Sequence, residues 1–135
     1  GPFRDVIKYS VGDFLSTRFA SGSFAAISSI SAIEHGHSVD RLLVEVSRLL
    51  KPGGYFIGST DYWPQKIDTR GVEVFGLDWT IFSAPEMEEL FAAARQHGMA
   101  VMGPTDYSAH DPVIDFAGRR YTFAWFALQK RVAAP

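Results

Sequence analysis

Glu34 and His35 stand together where an apolar stretch, Phe24 to Ser31, gives way to a periodic one. A carboxylate and an imidazole at the end of a strand are groups that move protons, and the histidine could act as general base or polarise an acceptor through a hydrogen bond. The plainer alternative is that His35 holds its loop through backbone contacts. His37 makes an His-x-His pair with His35, but no third or fourth ligand follows at a metal-like spacing and the chain has no cysteine, so no metal site is expected. Further on, Asp61, Tyr62, Trp63 and Trp79 combine a carboxylate with three aromatic rings. Such a set could line an acceptor pocket, the rings against a sugar or another ring and Asp61 on a hydroxyl; it could as readily be an ordered lid packed on its own aromatics.

The elements that must position these groups follow from hydrophobic periodicity. Phe24 to Ser31 mixes apolar and small residues without alternation, which predicts a parallel strand covered on both faces. From Val39 the period changes: Val39, Leu42, Leu43, Val46, Leu49 and Leu50 form one helical stripe, with Asp40, Arg41, Glu45 and Arg48 facing water. Ser38 can cap this helix, Arg41 and Glu45 can pair across one turn, and Pro52-Gly53-Gly54 stops it. Tyr55 to Ser59 reads as a second strand, parallel to the first through a right-handed crossover. Glu34 and His35 then lie at the carboxyl edge, where open α/β sheets bind ligands.

Asp5 to Val11 alternates apolar and polar residues and predicts a strand ended by Gly12-Asp13, with Leu15 to Ser23 as a loop. The segment from Thr60 to Phe82 is a long excursion from the carboxyl edge, the kind of connection that carries specificity. Ser83-Ala84-Pro85-Glu86 is a capping box opening a helix whose buried stripe is Met87, Leu90, Phe91 and Ala94, with Gly98 at its end. Met99 to Met102 predicts a short strand, and Gly103 to Gly118 a loop with His110, Asp111 and Asp115 in a turn. The final strand, Arg120 to Gln129, is apolar on both sides and is expected inside the sheet, antiparallel between Tyr55 to Ser59 and Met99 to Met102.

Together, Gly12-Asp13, Ser23-Phe24, Ile33-Glu34-His35 and Arg48-Leu49-Leu50-Lys51-Pro52-Gly53-Gly54 resemble the central and later motifs of class I S-adenosylmethionine-dependent methyltransferases of the type 11 kind. Ala25 departs from the pattern, where an acidic residue is common. The resemblance implies an α/β fold: a truncated Rossmann-like methyltransferase sheet, mostly parallel with a C-terminal antiparallel strand and helices on the faces. It implies S-adenosylmethionine as cofactor, with Asp13 accepting from the adenine amino group, the Phe14 amide at the ring edge, and Ser31 and Glu34 on a further wall. His35 is the candidate catalytic residue, and Asp61, Tyr62, Trp63 and Trp79 are the candidate substrate-binding residues. The stretch Asp61 to Thr69, with Trp79 to Ser83, also resembles a branch associated with glycan assembly, so a small-molecule or sugar-type acceptor is expected.

Members of that family open with a strand, a Gly-rich turn and a second strand ending in an acidic residue; this sequence opens after both. Residues 3–131 are therefore expected to be a single domain, the C-terminal part of the fold, with Gly1-Pro2 a tag remnant. Binding of S-adenosylmethionine by the chain alone is expected to be very weak, since half the cradle is not supplied. The bared edge of the Phe24 to Ser31 strand invites another strand, so Asp5 to Val11 moves in beside it, a second chain covers it as in a homodimer, or the missing segment exists elsewhere in the native protein; a rearranged or dimeric sheet is expected. A methyltransferase inactive as the isolated chain is one reading, and a non-catalytic binding or assembly module the alternative. With 135 residues, 47% of them apolar, one domain and one core are allowed. A net charge of −2, with both signs spread along the chain, offers no field for nucleic acid or an acidic membrane. The absence of cysteine and of a long apolar run fits a cytoplasmic location.

Overall fold

The computed structural model describes residues 5–134. The expected tag remnant, Gly1-Pro2, and the first two residues of the expected domain, Phe3 and Arg4, lie outside them. In chain order the elements are β1 (Phe24–Ile30), α1 (Val39–Leu49), β2 (Leu50–Tyr62), β3 (Glu73–Val74), β4 (Leu77–Asp78), α2 (Ala84–Gln96), β5 (Met99–Val101), β6 (Ile114–Phe116) and β7 (Arg119–Lys130). The main sheet has the order β1-β2-β7-β5, with β6 paired to β7. β1 and β2 are parallel, and β7 runs antiparallel to β2, β5 and β6. Four strands thus share one direction and the C-terminal strand opposes them, in the central place its two-sided apolar composition implied.

Local chemistry fixes the first unit. Ser38 Oγ accepts from the Arg41 amide at 3.3 Å and caps α1, which buries Leu42, Leu43, Val46 and Leu49. The helix ends at Leu49, and Leu50 is already extended. Pro52 disfavours a helical residue before it, so the turn falls ahead of the proline rather than at it. β2 therefore starts at Leu50 and is far longer than the expected Tyr55 to Ser59. Residues 51–54 form a bulge: Phe24 pairs with Leu50, and two residues later Ala26 pairs with Tyr55. Gly53 adopts φ +77° there, and a Cβ on Gly54 would lie 2.9 Å from two carbonyl oxygens, so the loop needs both glycines.

Both helices cover the same face of the sheet. Leu42, Leu43 and Val46 of α1 join Met87, Leu90, Phe91 and Ala94 of α2 over Phe56, Phe126 and Leu128. The Phe126 ring stands edge-on to Phe56 and to Phe91, each at 5.8 Å between centroids. Gly58 lies directly beneath it. The opposite face is open: Tyr55, Ile57, Phe123 and Trp125 are exposed, Trp125 to 65%. This corrects the expectation that β1 and β7 are covered on both sides. Apolar composition reports what a strand can bury, not what is present to bury it.

Asp5 to Val11 forms no strand. Val6, Tyr9 and Val11 are exposed, and the segment pairs with neither β1 nor any other strand among the described residues. Alternation alone cannot make a strand, because backbone groups leave water only when a partner takes their hydrogen bonds. The outer edge of β1 is unpaired among the described residues.

Packing at Gly58 is testable. A methyl group there would enter the Phe126 ring, which is itself locked between Phe56 and Phe91. Gly58→Ala is expected to lower unfolding free energy by about 1–3 kcal/mol, the range for forced overpacking, as read by denaturant titration.

Candidate functional site

At the carboxyl ends of the parallel pair, β1 and β2 deliver their last residues to one rim. Ser31 leaves β1 with φ +46°, and its amide donates to the Ser59 hydroxyl at 3.1 Å. That kink sends the chain away from the sheet and places Glu34, 1% exposed, under the rim. One oxygen of Glu34, Oε2, has no hydrogen-bond partner, and neither has Nδ1 of His35. The His35 ring stands edge-on to Phe75 at 5.8 Å, at the tip of the β3-β4 hairpin.

Asp61, near the end of β2, is 7% exposed and accepts from Trp79 Nε1 at 2.8 Å. The excursion that carries Trp79 is fastened by its backbone. The Thr80 amide donates to the Glu34 carbonyl at 2.9 Å, the Phe82 amide to the Asp61 carbonyl at 2.9 Å, and the Trp63 amide to the Phe82 carbonyl at 3.0 Å. The segment 80–82 thus continues the sheet beside β2 where β1 has ended, and it draws Glu34 and Asp61 to one place. Tyr121 of β7 completes the group: its phenol faces Asp61, and its ring lies 5.6 Å from Trp79.

Electrostatics follow from this enclosure. Burial, with the charge of Asp61 adding to it, raises Glu34 from 4.5 to about 7. Asp61 is also raised by burial, an effect the Trp79 hydrogen bond and the nearby His35 oppose. Tyr121 is pushed up to about 12, by burial first and then by Asp61. Neither carboxylate is bonded to a lysine or arginine.

The expected site residues divide. Glu34, His35, Asp61 and Trp79 meet at the rim, with Trp63 packed against the cluster formed by Trp79, Ile81 and Tyr121. Asp61 and Trp79 bond each other inside it, the ordered-lid arrangement. Tyr62 points to the helix-covered face, where its hydroxyl donates to the Tyr107 carbonyl at 2.6 Å, apart from Asp61. Asp13 closes a local turn by accepting from the Leu15 amide at 2.8 Å. Phe14 stacks edge-on with His37 at 4.5 Å and lines an apolar slot of about 290 Å³ beside β1, with Phe24, Ile27, Ser28 and Leu42.

The loop bearing Asp13 and Phe14 is tied down by residues expected to face water. Glu45 is buried, not solvated; its carboxylate accepts from the Thr17 amide and hydroxyl at 2.8 and 2.7 Å and pairs with Arg48 at 2.7 Å. Arg48 in turn donates to the Phe19 carbonyl at 2.8 Å. The Arg48 guanidinium holds Glu45 down at about 2. The expected Arg41–Glu45 pairing is replaced by Glu45–Arg48, because only Arg48 can reach both Glu45 and the incoming loop. Among the described residues no group of three or more His, Asp or Glu could hold a metal, and no helix is long and apolar enough to cross a membrane.

Comparison with known proteins places this architecture. The family model described as "Methyltransferase domain" matches residues 1–58. The sterol 24-C-methyltransferase ERG6B of Gibberella zeae is 40% identical over 52 residues, 38% of this chain and 14% of that protein. The sterol 24-C-methyltransferase of Pneumocystis carinii is 40% identical over 78 residues, 55% of this chain and 21% of that protein. Among solved structures, the cyclase SpnF matches 98% of this chain and 58% of its own with a TM-score of 0.70 and 16% identity. Geranyl diphosphate C-methyltransferase from Streptomyces coelicolor, in complex with Mg2+, geranyl diphosphate and S-adenosyl-L-homocysteine, matches 93% of this chain and 53% of its own, also at 0.70, with 17% identity. The chain carries the class I S-adenosylmethionine-dependent methyltransferase fold, and its first 58 residues match that family's model. It spans about a seventh to a fifth of the length of these two sterol methyltransferases.

Glu34 makes stability depend on pH in a defined direction. The folded state keeps a proton on Glu34 up to about 7, whereas the unfolded chain releases it near 4.5. Its contribution is therefore fully present below 4.5, falls as pH rises, and is lost above about 7. Relative to Glu34→Gln, the native chain is expected to lose up to about 3 kcal/mol between those limits, at about 1.4 kcal/mol per unit, as read by denaturant unfolding at a series of pH values.

Proposed function

We propose that this chain is the C-terminal part of an S-adenosylmethionine-dependent methyltransferase acting on a small-molecule acceptor. The observation that carries the reading is the family sequence in residues 1–58 on a sheet whose carboxyl edge gathers Glu34, His35, Asp61 and Trp79. When bound, the cofactor supplies an electrophilic methyl group on a positively charged sulfur.

The residues present fit part of that group. The slot beside Phe14 is apolar and of a size for a flat base, and the buried Glu34 oxygen without a hydrogen-bond partner leaves a polar atom free for a donor. Asp13 and Phe14 would hold the adenine, with Ser31 and Glu34 on the adjoining wall. His35 would take the acceptor's proton at an imidazole nitrogen, while the excursion bearing Trp63 and Trp79 would exclude water and orient the acceptor. Asp61 would serve by fixing Trp79, and Tyr62 by fixing the loop at Tyr107.

The sterol methyltransferase relatives favour an apolar acceptor over a sugar. The fold alone does not choose, since the cyclase SpnF shares it. The open sheet face around Tyr55, Ile57, Phe123 and Trp125 favours assembly with further polypeptide, in the same protein or a second copy.

Calorimetric titration tests this reading. The isolated chain is expected to bind S-adenosylmethionine only weakly, outside the micromolar range. A natural polypeptide containing it together with the front of the cradle is expected to bind in the micromolar range and to transfer the methyl group, with His35→Ala lowering turnover about 100-fold or more. A longer form that neither binds nor transfers would overturn the assignment.

A further inference from the structure

We infer that Glu34 and Asp61 hold a single proton between them and that this shared proton keeps the 63–82 excursion closed on the carboxyl rim, which makes Glu34 a positioning residue for the rim.

Three structural facts lead there. Both carboxyl groups are buried, at 1% and 7% exposure, Glu34 in the turn past the end of β1 and Asp61 near the end of β2. Neither has a bonded lysine or arginine, and two unpaired carboxylates enclosed together cost too much for both to stay ionised. The two are also unequal. Asp61 has a donor aimed at it, Trp79 Nε1 at 2.8 Å, with the Tyr121 phenol beside it, so it is the one stabilised as the anion. Glu34 has the unpartnered Oε2 and keeps the proton. The groups facing the pair are His35 from the same loop as Glu34, Trp79 from the excursion and Tyr121 from β7, with Ser31 against Glu34.

The pair sits between the fastenings of the excursion. Trp79 is held by the Asp61 carboxylate, Thr80 by the Glu34 carbonyl and Phe82 by the Asp61 carbonyl. Loss of the shared proton leaves two negative charges in one enclosure. Their repulsion is relieved by letting water in, and the movable element is the excursion, whose tie to the Asp61 carboxyl group is the Trp79 indole. If the rim serves an acceptor as proposed above, the closed form is the one that shelters it.

The indole N–H signal of Trp79, followed by nitrogen-labelled NMR on this chain and assigned with Trp79→Phe, reads the device without any cofactor. It is expected to titrate with a midpoint near 7. In Glu34→Gln, which mimics the protonated acid, it is expected to stay flat from about pH 5.5 to 8.5. In His35→Gln the transition is expected to persist, within about one unit of its native midpoint. A flat Trp79 signal in the native chain, an unchanged transition in Glu34→Gln, or its loss in His35→Gln would each overturn the proposal. Each result is independent of whether the longer protein transfers a methyl group.

Discussion

A buried hydrogen bond inside the rim, from the Trp79 indole to the Asp61 carboxylate, is the side-chain tie between the two parts of this molecule that meet there. On one side of it is the parallel pair β1 and β2; on the other is an excursion of some twenty residues with almost no regular structure of its own. A segment of that length pays its ordering entropy only through specific anchors, and a buried bond to a charged acceptor is among the stronger ones. Around it the backbone ties from Thr80 and Phe82 extend the sheet. Without the indole, Asp61 would be an enclosed carboxylate beside Glu34 with only His35 and the Tyr121 phenol to favour its charge.

The sheet that supports this rim is finished on one face and unfinished on the other. α1 and α2 close a core around Phe56, Phe91 and Phe126, while Tyr55, Ile57, Phe123 and Trp125 stay exposed and the outer edge of β1 lacks a partner among the described residues. The loop carrying Phe14, which lines the apolar slot beside β1, is held against α1 by the bonds of Thr17 to Glu45 and of Glu45 to Arg48.

Much of the fold was legible because its signals are local and agree with one another. The α1 stripe with Ser38, the capping box in which Glu86 accepts from the Ser83 amide at 2.8 Å, and the buried positions of α2 all lie within a few turns of chain. The placement of β7 between β2 and β5 followed from its two-sided apolar composition. What failed depended on partners. Asp5 to Val11 alternates like a strand but has none to pair with, and Glu45 reads as a solvated helix residue until the loop carrying Thr17 arrives. At the site, Glu34, His35, Asp61 and Trp79 could be singled out by type and position. Tyr121 could not, because only the antiparallel register, Tyr62 opposite Thr122 and Asp61 opposite Phe123, carries it to the same side as Asp61.

The methyltransferase family tie and the chemistry of the rim meet at Glu34, a carboxyl group in an enclosure with no bonded cation. Carbon-13 NMR of the side-chain carboxyls, titrated across neutral pH, tests this most directly. Glu34 is expected to ionise near 7 with a smaller coupled response at Asp61. Two independent carboxyls, each titrating at about 4 in the ordinary range, would contradict it.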